Sequence, residues 1–312
     1  MIKRGVRFLA SLASILIAAS PVWAQSAQQA DDAELDGEDI VVTGTLPTQS
    51  AVSRQARAIT DMSSAIRHEP LPRFEARLCP GVIGMVPEYA SLIVDRVRYN
   101  AEQLDLWLAE DDGTCTPNFI VAFVEDGQAH LQNIADNQHW LFRDMSPSQR
   151  SRLLNDDGPA RVWTITETRT RDGMPVPRSE SLHEPPVVNT WMAHSKIYTA
   201  TREDIASVIV LLDKDSVKGK TLVQLADYAT MRGLARTKPA DGDGQKLDTI
   251  LALFDPAGSP PPRLTDFDQA YLASLYDGMP NLPGITKVLG VNRQLRLQAR
   301  DAERASAGEL RE

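Results

Sequence analysis

The pattern of hydrophobic and polar positions defines one helix more clearly than any other element. Residues 221–236 read TLVQLADYATMRGLAR, in which Thr221 and Gln224 have the spacing of a capping box at a helix start. Four apolar residues of the first two turns are Leu222, Leu225, Ala226 and Ala229. Their spacing of i, i+3, i+4 and i+7 predicts one apolar stripe facing a core. Gly233 predicts the end of the helix, because glycine readily takes the left-handed conformation found there.

Strand patterns precede this helix in the chain. The run 119–124 is almost wholly apolar, which is typical of an interior strand covered on both faces. Residues 162–170 place threonines on one side and Trp163 and Ile165 on the other, which predicts an antiparallel or edge strand. The other predicted strands are 73–78, 196–202 and 207–212.

Helical patterns alternate with these strands. One helix is predicted from about Pro87, and residues 127–154 are predicted to be helical with a break before Pro147. A last domain helix is predicted with Thr265 as its N-cap and Asp268 in its first turn. Together these elements predict an α/β (α+β) domain with a mixed sheet over residues 73–277.

The segments on either side of this domain are predicted to be less ordered. Residues 25–72 are poor in aromatics and rich in small and polar side chains, which predicts a disordered linker with a short helix at 55–66. Residues 278–312 are predicted to form a C-terminal helical tail, with a charged, weakly amphipathic helix at 292–311. We expect this tail to be solvent-exposed or docked on a partner.

The first 24 residues have the pattern of a secretory signal peptide. Lys3, Arg4 and Arg7 precede an apolar run, and a small-residue end follows, which predicts cleavage after Ala24 and a periplasmic or secreted protein. The apolar run is shorter than the roughly 20 residues of a spanning helix, so stable membrane insertion is not expected. Loss of the three basic residues would change the formal net charge from −9 to about −12.

This acidic balance argues against nucleic acid as a partner. A polyanion needs a clustered basic face, whereas the lysines and arginines here are scattered among more numerous acids. The sequence also contains no Walker loop and no dinucleotide-binding glycine motif, so we expect no cofactor.

Cys79 and Cys115 are the only cysteines of the chain. In an oxidising compartment such a pair most often forms a disulfide, which here would close a loop of about 37 residues and stabilise the fold by about 3–4 kcal/mol. Two free buried thiols are the alternative.

Residues 38–44, EDIVVTG, form a short β-prone patch behind an acidic lead. The patch resembles the TonB box of outer-membrane TonB-dependent receptors, which pairs as an added strand with the energy-coupling protein. The resemblance implies that Ile40, Val41 and Val42 would form a partner strand through main-chain hydrogen bonds. No barrel sequence follows, and an inert linker is the alternative.

The order of the elements carries a second resemblance. A strand, a helix, further strands, a central helix with a glycine, a turn and a terminal helix beginning LTDFDQAYLASLY are similar to the catalytic domain of a metzincin zinc protease of the matrixin type. That family carries H-E-x-x-H on its central helix, followed by glycine and a third histidine. Anchored on Gly233, the ligand positions fall on Ala226, Thr230 and Arg236, and the general-base position falls on Asp227.

All three zinc-binding histidines are therefore absent, and no histidine lies between His194 and the C-terminus. Alanine cannot coordinate a cation, and arginine would repel one, so no metal is expected. The resemblance implies a zincin-like mixed sheet with a helix after the first strand and a degenerate active-site helix. An unrelated α+β domain is the alternative.

These observations predict an exported, catalytically inactive protease-like protein that binds a peptide or protein partner in the periplasm. Two alternatives stay open: a secreted hydrolase with an unrecognised active site, including one that uses Asp227 without a metal, and an accessory factor of outer-membrane transport that acts through residues 38–44. The sequence does not define the oligomeric state.

Overall fold

The computed structural model of the protein describes residues 47–61, 67–142, 145–177, 183, 187, 189–190, 194–239, 248–256 and 258–309. The predicted signal peptide and the patch 38–44, with Ile40, Val41 and Val42, lie outside these residues.

A mixed sheet forms the centre of the described structure. Its strands are β1 (Pro80–Ile83), β2 (Phe119–Val124), β3 (Ala160–Thr170) and β4 (Thr201–Asp213), and their spatial order is β1-β2-β4-β3. β1, β2 and β4 are parallel, whereas β3 pairs antiparallel with β4 at the edge of the sheet. The predicted α+β class, the interior strand β2 and the antiparallel edge strand β3 are confirmed.

Two strand predictions are wrong in their boundaries. The first strand begins at Pro80 rather than at 73, because Arg73 and Leu78 each form only an isolated bridge. Of the predicted strands 196–202 and 207–212, residues 201–202 and 207–212 belong to the single strand β4, whereas residues 196–200 precede it and are not in a strand. Between these two parts of β4, the register of its pairing with β3 shifts at Ile165 and Thr166, and the strands stay paired on both sides of the shift.

Helices cover both faces of the sheet. In chain order they are α1 (Gln49–Ile59), α2 (Pro87–Glu102), α3 (Gly127–Asn137), α4 (Pro147–Leu154), α5 (Leu222–Leu234), α6 (Asp266–Tyr276) and α7 (Gly284–Glu309). The larger apolar core joins one face of the sheet to α1, α2, α5, α6 and α7, and the smaller core joins the other face to α3 and α4. Along β2, Phe119 and Val121 face the larger core and Ala122 faces the smaller one, as expected from the alternation of side chains along a strand. None of the described helices has the length and apolar content needed to cross a membrane.

The two ends of the described chain pack together. This corrects the prediction of disorder for the described part of the linker 25–72, and it shows that the helix of the predicted C-terminal tail, 278–312, docks on the core of the same chain. The linker contains α1, at 49–59 rather than 55–66, with Val52 and Ile59 buried. α7 begins at Gly284 and contributes Val291 to the same core. Asn292 Nδ2 donates to Ser53 Oγ at 2.8 Å, so a polar contact also joins the two helices.

Cys79 and Cys115 form the predicted disulfide. It joins the residue before β1 to the loop before β2, and the closed segment contains α2.

Candidate functional site

The central helix begins where the sequence predicts. In α5, the Gln224 amide donates to Thr221 Oγ1 at 3.1 Å, and the Thr221 amide donates to Gln224 Oε1 at 3.0 Å. The helix continues past Gly233, so the expectation that this glycine ends it is wrong. Gly233 serves packing instead, because a Cβ at this position would lie 2.4 Å from the Phe119 ring.

Asp227, at the predicted general-base position, is a fully buried structural carboxylate. It accepts from Arg96 Nε at 2.7 Å and from Arg96 Nη2 at 2.8 Å. Asn100 Nδ2 and the Leu264 amide also donate to it, each at 2.8 Å. The hydrogen bond to Asp227 raises the pKa of the Arg96 guanidinium. Four donors thus occupy the carboxylate, which ties α5 to α2 and to the residues that lead into α6.

Ala226 and Thr230 lie on the same buried side of α5 as Asp227. Both are fully buried, and Thr230 Oγ1 accepts from Asn100 Nδ2 at 3.0 Å while donating to the Ala226 carbonyl at 2.8 Å. This side of the helix packs against α2. The structure therefore brings three of the predicted site positions together in a packing contact, and it places Arg236 elsewhere.

Arg236 lines a cleft of about 250 Å³ around the outer edge of the sheet. We call it the β3 cleft; its walls include residues 162–166 of β3, Arg152 and Asp156 on the α4 side, and Arg232 and Arg236 at the end of α5. Arg236 has a φ of 43° and so holds the left-handed conformation expected at Gly233. The predicted site positions Ala226, Asp227 and Thr230 are not among the lining residues of this cleft.

The outer edge of β3 is covered at only one end within the described structure. Residues 174–176 pair there: the Thr170 amide donates to the Met174 carbonyl at 2.8 Å, and the Val176 amide donates to the Thr168 carbonyl at 3.2 Å. Among the described residues, 162–166 pair with β4 alone. Strand edges of this kind present unpaired amide and carbonyl groups to an incoming strand.

Arg232 is the most unusual side chain of the β3 cleft. It is only 7% exposed, and its Nη1 donates to the Tyr228 hydroxyl at 2.7 Å. The guanidinium carbon lies 5.6 Å from the centre of the Tyr228 ring, which adds a cation–π contact. Its Nε has no hydrogen-bond partner, and no described carboxylate forms an ion pair with it. Burial raises the pKa of the Tyr228 hydroxyl, which keeps this group neutral beside the cation.

The cleft as a whole carries an excess of positive charge. Its lining contains the basic residues Arg152, Arg232, Arg236 and Lys238 and the acidic residues Asp61 and Asp156. The nearest acid to Arg236 is Asp61, with 3.8 Å between Nε and Oδ2, and the Arg236 side chain is 30% exposed. Two arginines at this end of α5 therefore face the cleft, and among the described residues only Arg236 has a carboxylate partner, at the long distance of 3.8 Å.

The fold and the cleft define an α+β protein with a mixed sheet and an accessible strand edge. Comparisons of the chain with protein-family models, with curated proteins and with solved structures found no significant match. Among the residues that the structure describes, no three histidine, cysteine, aspartate or glutamate side chains are grouped so that they could hold a metal ion.

The sequence prediction missed Arg232, because it was anchored on Gly233 and followed the opposite side of the helix. A signal was present: Tyr228 and Arg232 in the helix, and Arg236 just after it, are spaced by four residues. Such a row predicts a polar face of the helix, but it does not predict whether the charged side chains on that face have acidic partners elsewhere in the chain.

Proposed function

We propose that this is an exported, non-catalytic protein that binds an extended peptide or protein segment along β3. The observation that carries the proposal is the outer edge of residues 162–166, which lines the β3 cleft and pairs with β4 alone among the described residues. Main-chain hydrogen bonds to such an edge hold an added strand, and neighbouring pockets select its side chains.

A zincin-like scaffold is part of the proposal. It is supported by the order of the elements, with α2 after the first strand, an antiparallel edge strand, and a central helix followed by the capped helix α6. The side of α5 that faces the cleft carries Arg232 rather than Ala226 or Thr230. In a zincin-like scaffold, an arginine would therefore face the cleft in place of the predicted ligand positions.

Export is supported by the disulfide between Cys79 and Cys115, since such bonds persist in oxidising compartments. We propose a periplasmic or secreted protein, released by cleavage after Ala24. Strand pairing by residues 38–44, and with it a role in outer-membrane transport, stays a prediction.

The contacts of Asp227 argue against the hydrolase alternative. A general base needs a free lone pair within reach of substrate, and this carboxylate is buried among four donors. We therefore favour binding over catalysis.

Proline at residue 164 tests strand addition. Thr164 is separated from Thr168 and Thr170 by an even number of residues, so its main-chain amide and carbonyl point to the same side as theirs, away from β4. Thr164→Pro would therefore remove an outward amide, and proline is tolerated on an edge strand. We expect the wild-type protein to retain members of a randomised, N-acetylated hexapeptide library, and the variant to retain about tenfold less, because each added strand depends on a few main-chain hydrogen bonds.

Thr164→Val is the matched control, since it keeps the amide and should retain the library as the wild type does. Mass spectrometry of the retained peptides gives the readout. Retention that is unchanged by Thr164→Pro would contradict strand addition, and shortened peptides would favour the hydrolase alternative.

A further inference from the structure

We propose that the β3 cleft recognises a carboxylate group of the bound peptide, and that Arg232 is the residue that holds it. This inference rests on the proposed function and specifies the chemistry of its ligand.

The first step is the state of the Arg232 guanidinium. A cation that is 7% exposed has lost most of its hydration, and such a group ordinarily gains an anionic partner in return. Within the part of the chain that the structure describes, Arg232 donates only to the neutral Tyr228 hydroxyl, and its Nε has no partner. The buried Arg161 and the half-buried Arg96 show the usual arrangement, with Arg96 bound to Asp227 and Arg161 to Asp213.

The second step is the shape of the unused donors. Nη1 is occupied by Tyr228, whereas Nε and Nη2 make no described hydrogen bond. These two nitrogens lie on the same edge of a guanidinium and fit the two oxygens of a carboxylate. The contact with the Tyr228 ring orients the guanidinium plane. The Arg232 side chain therefore loses less conformational entropy when a ligand binds.

The third step is the setting. Among the described residues, four basic and two acidic side chains line the cleft, in a chain whose formal net charge is −9. Arg236, four residues further along, supplies a second and more exposed cation beside the same strand edge. A peptide paired with residues 162–166 would thus bring its carboxylate beside two arginines. The carboxylate belongs either to the C-terminus or to an acidic side chain of the peptide.

The test compares two forms of the N-acetylated hexapeptide library, one with a free C-terminal acid and one with a C-terminal amide. For a C-terminal carboxylate, we expect retention of the acid form to exceed that of the amide form about tenfold, the effect of one charge-assisted hydrogen bond. For a side-chain carboxylate, we expect both forms to be retained and aspartate or glutamate to be enriched at one position.

Arg232→Gln should abolish either preference, because glutamine keeps a donor but not the charge. Arg236→Gln should weaken the preference several-fold, and it serves as the informative variant if Arg232→Gln does not fold, as judged by circular dichroism and thermal unfolding. Arg304→Gln, at an exposed position of α7, is the matched control and should behave as the wild type.

The outcomes separate this inference from the proposed function. Retention that shows no preference for an acid, yet is lost in Thr164→Pro, would overturn the carboxylate site and leave strand binding in place. Retention of neither form would overturn both. A preference for acid that survives in Arg232→Gln and in Arg236→Gln would also overturn the assignment to these arginines.

Discussion

At the scale of single residues, burial decides what each side chain of α5 does. Asp227 and Arg232 are five positions apart and lie on opposite sides of the helix, and both are largely removed from water. The carboxylate meets four donors, whereas the guanidinium meets one hydroxyl. The first arrangement stabilises the fold, and the second leaves binding capacity for a ligand.

Replacement of Asp227 by alanine should therefore act on stability. Because the change removes the partner of Arg96 and leaves the Leu264 amide without its acceptor, we expect a loss of about 3–5 kcal/mol in the free energy of unfolding. Urea unfolding measures this loss. Asp215→Ala is the control, since Asp215 pairs with Lys218 at the exposed surface and its loss should leave the free energy of unfolding almost unchanged. Equal midpoints for the two variants would contradict the structural role of Asp227.

At the scale of elements, capping boxes define several helix starts. Thr221 begins α5 and Thr265 begins α6, each with a reciprocal partner three residues later. In α6 that partner is Asp268, which also accepts from the Thr249 hydroxyl and the Ile250 amide. The cap thus joins α6 to the short 3-10 helix that follows α5 in the described chain.

Asp268 makes the stability of this contact depend on pH. Burial raises the pKa of its carboxyl to about 6, and its hydrogen bonds oppose this shift without cancelling it. In the unfolded chain the carboxyl loses its proton near pH 4, so between about pH 4 and pH 6 the folded state holds more protons than the unfolded state. The contribution of Asp268 to stability is therefore complete below about pH 4 and is lost as the pH rises through about 6.

Asp268→Asn should flatten this part of the pH profile. We expect the free energy of unfolding of the wild type to carry a downward slope of at most about 1.4 kcal/mol per pH unit from this group, and the variant to lack it. Denaturant unfolding at a series of pH values gives the slopes. Asp266→Asn is the matched control, because Asp266 lies exposed in the same turn of α6. A variant slope equal to that of the wild type would contradict the assignment.

At the scale of the whole molecule, one sheet separates two apolar cores, and the two ends of the described chain close the larger core. α1 and α7 pack together at this end. The disulfide constrains a different part, the crossover from β1 through α2 to β2. Because α2 also holds Asp227 through Arg96 and Asn100, the disulfide stabilises the side of the core on which α5 packs.

Removal of the disulfide should lower global stability. The bridge spans a sequence separation of 36 residues. Loop closure of this size corresponds to about 3–4 kcal/mol in the chain-entropy description. We expect a variant with both Cys79→Ser and Cys115→Ser to have a free energy of unfolding that is lower by that amount, and therefore to unfold at a lower denaturant concentration. Reduction of the wild type should have the same effect. Unchanged midpoints in both experiments would show that the crossover is held by packing alone.

Local patterns in the sequence were sufficient for much of the fold. The boundaries of β2, the capping residues Thr221 and Thr265, the edge position of β3 and the disulfide are all as predicted. Each depends on residues close together in the chain, or on the only two cysteines present. α1 was misplaced because its single apolar stripe is short and lies in a polar segment, and its burial depends on contacts with residues far away in the sequence, chiefly those of α7.

The sequence by itself thus determined the class of the fold, the starts of its main helices and the pairing of its cysteines, because these follow from periodicity, capping and counting. Only the tertiary structure decided that Asp227 is enclosed by donors from two other segments and that Arg232 faces a cleft with no acidic partner among the described residues. The reason is physical: the free energy of a charged group depends on which distant residues surround it. Residues far apart in the sequence supply that environment.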